Sequence, residues 1–279
     1  MNNIKVDIKM RLLSPLMHFG DERLGTMQIM RTNKFLYEGD FIDIPVYSGN
    51  AFRGQFRRTT MRDYLEKLGI ADEGISEKLY YTLFTGGSLV GGSRYEEVGD
   101  RLHLRKMCPP LALLGTALGD QILQGKMKSP IFLPVCRETA DYTGIESDIS
   151  FYDMLEDVFY TRKDDLKSVT YNINDDGEEK KKKDNPVQMK YEAQCLSAGS
   201  ELVGTIIIEN CNEVEESMLH ATLKRIQEIP FIGGKSAAGH GKVSMAYGEL
   251  EPVETYYNYL EENSEEIRLW VREVEGVLK

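Results

Sequence analysis

Pro45-Val-Tyr-Ser-Gly-Asn-Ala-Phe-Arg-Gly-Gln-Phe-Arg-Arg58 reads as a strand end, a turn and a helix entry. Proline closes the strand. Ser48-Gly49-Asn50 supplies turn and cap residues, and the helix is expected to run to about Leu68. Phe52, Phe56 and Leu65 mark its apolar face. Arg53 and Arg57, and likewise Arg58 and Arg62, stand four apart and predict two basic ridges, read alternatively as an ordinary solvated face. Its counterpart, Phe231-Ile-Gly-Gly-Lys-Ser-Ala-Ala-Gly-His-Gly-Lys-Val243, is a glycine-rich loop that leads into a strand. Both segments place backbone N–H groups beside fixed positive charge, which is what a phosphodiester backbone requires. The candidate nucleic-acid contacts are therefore Ser48, Gly49, Asn50, Arg53, Arg57 and Arg58 on one side. Gly233, Gly234, Lys235 and Ser236 stand on the other. His18 and His240 flank these segments and read equally as contacts or as structural histidines.

Working outward, Ile4 to Leu13 alternates like a strand, and Asp40 to Val46 is a second, short one. Gln188 to Glu209 gives two strands around Ser197-Ala-Gly-Ser200. Val214 to Glu228 is an amphipathic helix with Leu219, Leu223 and Ile226 inward. Lys242 to Tyr247 is a strand, and Tyr256 to Leu278 one C-terminal helix. Strand–helix at the start and strand–helix–strand at the end predict an α+β, ferredoxin-like core, with palm residues mainly in 1–68 and 195–250. The rest inserts into it. Residues 14–40 lack periodicity and read as a functional loop or small finger. Residues 69–150 hold paired glycines, a small-residue helix over Pro109 to Asp120, and a strand over Ile131 to Cys136. Residues 151–192 read as a long hairpin with a charged, disordered tip containing Lys180-Lys-Lys-Lys183. That arm is either a binding element or a tolerated insertion.

The chain has 279 residues, 41% of them apolar, enough for one large domain of residues 1–279 with insertions. A net charge of −11 argues against nonspecific nucleic-acid binding but leaves room for a local basic groove. Acid concentrates after Glu249, where glutamates outnumber the basic residues Arg268, Arg272 and Lys279. No apolar run is long enough to span a membrane, and the alternating N-terminus reads as a strand, so a cytoplasmic protein is expected. Cys108, Cys136, Cys195 and Cys211 form no C-x-x-C pair and read as buried thiols, with no metal or cofactor implied. Gly234-Lys-Ser236 fails as a phosphate loop of the Walker type. Ile229 occupies the position where that motif needs glycine, and a strand follows where a helix should open.

Taken in order, four segments resemble the RAMP superfamily of CRISPR-associated proteins, and within it a backbone subunit. They are Ser14-Pro-Leu-Met-His-Phe-Gly20, Ile44 to Arg58, Phe159-Tyr-Thr-Arg-Lys-Asp-Asp165, and Gly233 to Val243. The look is nearest to type IV or type I-D, with type III more distant. The resemblance implies an RNA-recognition-like palm with finger and thumb insertions, the thumb being the 151–192 hairpin. It implies guide RNA (crRNA) as ligand, head-to-tail copies of the chain along it, other CRISPR effector subunits as partners, and target nucleic acid captured by guide pairing. Membrane partners are not implied. RNA contacts carried over include Arg162 and Lys163 at the thumb base, and His240.

Type III backbone subunits cut with an aspartate after the first strand. The corresponding stretch here, Gly25-Thr-Met-Gln-Ile-Met-Arg31, holds no carboxylate. Asp21 and Glu22 are the nearby substitutes for such a role. His18 is the first candidate base if the chain is a single-copy guide-processing endonuclease. The preferred expectation is a noncatalytic scaffold.

Overall fold

The first strand alternates as the sequence predicts, and its inward residues Ile8, Met10 and Leu12 are buried. A computed structural model describes residues 2–70, 74–87, 98–118, 121–162, 189–248 and 252–278. In chain order, β1 (Asn2–Leu12) is followed by two hairpins, β2 (Phe19–Leu24) with β3 (Met27–Met30), and β4 (Thr32–Tyr37) with β5 (Asp40–Pro45). Helix α1 (Gly49–Lys67) comes next, then α2 (Glu77–Tyr80), α3 (Val98–Met107) and α4 (Pro109–Leu114). The hairpin β6 (Thr116–Leu118)–β7 (Gln121–Leu123) leads to the short β8 (Met127–Lys128) and β9 (Leu133–Pro134), and α5 (Ala140–Thr143). The last part holds β10 (Leu155–Arg162), β11 (Met189–Leu196), β12 (Glu201–Cys211), α6 (Glu213–Glu228), β13 (Val243–Tyr247), α7 (Glu254–Glu262) and α8 (Ser264–Leu278).

The central sheet has the order β13-β1-β12-β8, with β9 also on β12, and every pairing is antiparallel. With α1 after β1 and α6 after β12, this is the split βαβ arrangement of a ferredoxin-like palm, as the sequence predicts. Its core lies between one sheet face and the two helices. Leu202, Ile206, Ile208, Val243 and Met245 meet Phe52, Phe56, Met218, Leu219 and Leu223 there. Asn212 opens α6 with a capping box, its side chain accepting from Glu215 N–H at 2.8 Å. The helices are also joined by polar groups, the Thr60 and Thr222 hydroxyls and an Arg225–Asp63 ion pair at 2.8 Å. The opposite face of the sheet is open. It presents Lys5, Asp7, Lys9 and Arg11 opposite Ile207, Thr205, Val203 and Glu201. Tyr142 of α5 lines a cleft on this face together with Asp7, Lys9, Val203 and Thr205.

The insertions and the C-terminus take more definite form. Residues 14–40, read as a loop or a small finger, hold paired strands: β2 and β3 pair there and join the β10–β11 hairpin in a second sheet, through parallel pairing of Ala193 with Gln28. The small-residue helix stops at Leu114 because Gly115 adopts φ 67°, and the chain turns into the β6–β7 hairpin. The C-terminal helix is two helices, α7 ending at Glu262 and α8 starting at Ser264, with Asn263 between them. The β10–β11 ladder runs from Leu155 opposite Leu196 to Arg162 opposite Met189. The polar tip of that hairpin, including Lys180 to Lys183, lies outside the described residues, as does Lys163. Among the described residues, no helix is long and apolar enough to cross a membrane. All four cysteines are buried free thiols.

Candidate nucleic-acid interface

Sheet topology brings the two glycine-and-base segments together. Because β13 runs antiparallel beside β1, residues just before Val243 lie against residues just after Leu12. Leu13 N–H donates to Lys242 O at 2.7 Å, Gly241 N–H to Pro15 O at 2.8 Å, and Gly234 N–H to Met17 O at 2.8 Å. Gly241 has φ 73°, and a Cβ there would meet Ile232 O at 1.9 Å, so only glycine fits this close approach. On the other side, Gln55 of α1 donates to Phe231 O at 2.6 Å and pins the loop's entry to the helix.

The result is a groove of about 620 Å³ between α1, the end of α6 and the glycine loop. Asn50, Arg58 and Arg62 line one wall, and Gly233 and Ser236 the other. Lys235 sits at its lip in the left-handed region, φ 60°, with Nζ 5.3 Å from the Tyr191 ring centre. Among the described residues the N–H groups of Lys235, Ser236 and Ala237 donate to no protein atom, and Arg58 forms no ion pair. The far end is different in charge. There Glu66 pairs with Arg225 at 2.9 Å. Asn50 and Glu66 are sixteen residues, about 24 Å, apart on the helix.

Ser48 caps α1, its Oγ accepting from Ala51 N–H at 3.3 Å. Ser48 N–H in turn donates to His18 Nε2 at 3.2 Å. Burial and the nearby Arg31 charge lower the His18 pKa to about 4. His18 is thus a neutral acceptor holding the helix cap, and that nitrogen is already engaged, which argues against its proposed role as general base.

The structure corrects the reading of two arginines. Arg53 donates to Met127 O at 2.7 Å and Leu114 O at 2.6 Å. Arg57 is buried and donates to Leu83 O at 3.2 Å, Leu114 O at 2.8 Å and Gly115 O at 2.9 Å. Burial lowers its pKa to about 10. Both guanidiniums satisfy carbonyls at the end of α4 and nearby, where a helix leaves acceptors without partners. The predicted Arg53–Arg57 ridge therefore faces inward, and the Arg58–Arg62 ridge is the exposed one.

His240 is also turned inward. It is buried, its Nδ1 lies 3.2 Å from Pro15 O, and its Nε2 is hydrogen-bonded to the Tyr160 hydroxyl. Instead of facing the groove, it ties the glycine loop to β10. Arg162 ends β10, and Asp21 and Glu22 lie exposed on β2. Sequence reasoning missed Gln55, Tyr160 and Tyr191. Only the Phe159-Tyr160 pair at the hairpin base was a signal for them.

No protein-family model matches the chain, and no curated protein does. Among solved structures, a chain described as "Type IV-B CRISPR Complex" shares the fold, with a TM-score of 0.67 and 22% identity. The superposition covers 92% of this chain and 99% of that one.

Proposed function

We propose that the chain is a noncatalytic backbone subunit of a CRISPR effector. It binds guide RNA and assembles head-to-tail along it, in the cytoplasm, with other effector subunits. The observation that carries this reading is the groove that Arg58 and the glycine loop line, with Lys235 and unpaired amides in that loop, in an otherwise acidic protein. A fold shared over nearly the full length with a chain described as a Type IV-B CRISPR complex supports it. In this reading the protein grips phosphates and shape, and sequence is read by base pairing with the guide. The β10–β11 hairpin acts as the thumb, and the β2–β3 hairpin beside it as the finger. A head-to-tail contact is heterologous and open, so it yields a filament.

The test is co-purification of the tagged chain with its nucleic acid, sized by light scattering at moderate salt. Large particles carrying a uniform small RNA are expected. Arg58→Glu with Lys235→Glu should abolish them, without loss of the folded monomer. A nucleic-acid-free monomer that stays monomeric with added guide RNA refutes the proposal. Cleavage of repeat RNA by that monomer favours the processing-enzyme alternative, and loss of cutting in Asp21→Ala with Glu22→Ala favours a cleaving backbone subunit.

A further inference from the structure

We infer that a second cleft, on the opposite flank of the α1 N-terminus, holds phosphates of the same RNA strand through Arg31 and Lys128. This rests on the RNA-binding reading above. The cleft has a volume of about 490 Å³ and is walled by Arg31, Lys128 and Arg53, with Asn33 and Gln124. No carboxylate lines it among the described residues. In a chain with 45 acidic and 34 basic residues, a wall with three cations and no acid is a local reversal of charge.

The cations come from separate elements that the fold holds in place. Arg31 is the single residue between β3 and β4. Its N–H donates to His18 O at 2.7 Å, and its carbonyl accepts from Val46 N–H at 2.9 Å. Its side chain is exposed and forms no ion pair among the described residues. Lys128 lies on β8, with Glu209 at 3.4 Å as a solvent-facing partner that a phosphate can replace. Arg53 contributes charge but no contact, since its guanidinium is held by carbonyls. Buried in the same wall, the Ser129 hydroxyl has no hydrogen-bond partner among the described residues.

Asn50 lines both this cleft and the groove, so the two are contiguous across the first turn of α1. The groove's other end is mixed in charge, with Glu66 and Glu228 beside Arg62 and Arg225, whereas no acid lines the second cleft among the described residues. A strand seated at Arg58 and Lys235 therefore continues over α1 into the second cleft. The cleft wall carries no aromatic ring, which suits phosphates and not stacked bases.

The experiment measures binding of the full chain to a guide-length single-stranded RNA by fluorescence anisotropy across a salt series. Arg31→Gln with Lys128→Gln should flatten the log–log salt slope by about 1.4, two contacts at about 0.7 each, and weaken binding about 25-fold at 0.1 M salt. The conservative pair Arg31→Lys with Lys128→Arg should retain slope and affinity, which excludes a folding defect as the cause. If Arg58→Gln weakens binding while the Arg31/Lys128 double variant matches wild type, the second cleft is overturned and the groove stands. If Arg58→Gln also matches wild type, the RNA-binding reading itself fails. Inorganic tripolyphosphate serves as the free-anion probe. Tight binding of it by wild type and not by the double variant, with RNA affinity unchanged, assigns the cleft to a free phosphate ligand and overturns the strand path.

Discussion

Arg57 and Arg58 are adjacent in sequence and opposite in role, and replacing each in turn tests the assignment. Arg57→Ala removes a buried donor from three carbonyls. Leu114 O keeps Arg53 as partner at 2.6 Å, which leaves Leu83 O and Gly115 O without this donor. At about 1–3 kcal/mol for each buried acceptor left unsatisfied, the cost is about 2–6 kcal/mol, centred near 4. That is a large share of the 5–15 kcal/mol typical of a folded domain. Urea unfolding followed by far-UV circular dichroism reads this directly. The Arg57→Ala chain should unfold at much lower urea, and whatever remains folded should bind RNA with the wild-type salt slope. Arg58→Ala should show the reverse, an unchanged unfolding midpoint and a salt slope reduced by about 0.7. A stable Arg57→Ala protein with a reduced salt slope would refute the reasoning and return Arg57 to the phosphate contacts.

Further outcomes follow from the loop and the helix cap. The folded His18 pKa of about 4 lies below the ordinary 6.5, so the unfolded chain binds the extra proton between these values. Stability must then fall as pH drops from about 6.5 toward 4. His18→Gln should lose less than wild type over that window in unfolding measured at pH 7 and pH 5, and an equal loss counts against the burial argument. Gly241→Ala forces φ 73° on a residue whose Cβ overlaps Ile232 O, and should destabilise by more than about 2 kcal/mol in thermal unfolding. A wild-type melting curve for this variant contradicts the close approach. His240→Phe keeps the ring but strips the bonds to Tyr160 and Pro15. Amide exchange in β10 and β11 should accelerate, and unchanged exchange means that His240 does not hold the hairpin base.

The palm is legible in the chain because its signals are local. Strand alternation in β1, the Ser48 cap and the apolar stripe of α6 need only neighbours within a few residues. The convergence of the glycine loop on the start of α1 was legible for a similar reason, since strand–helix–strand order leaves few ways to arrange the sheet. What the sequence left open depends on distant contacts. Residues 14–40 show no alternation because β2 and β3 are half-exposed hairpin strands, anchored by a parallel bridge to a strand more than a hundred and sixty residues away.

The arginines of α1 show the division most clearly. Four-residue spacing places Arg53 with Arg57 and Arg58 with Arg62 on ridges, and that much follows from helical period alone. Which ridge faces solvent is decided by α4 and β8, which pack over one side of the helix and turn their carbonyls toward it. By itself the sequence determined a ferredoxin-like palm and two glycine-and-base segments. The tertiary structure alone decided which cations face outward, because a guanidinium can donate to a carbonyl as well as to a phosphate and only packing determines which one it meets.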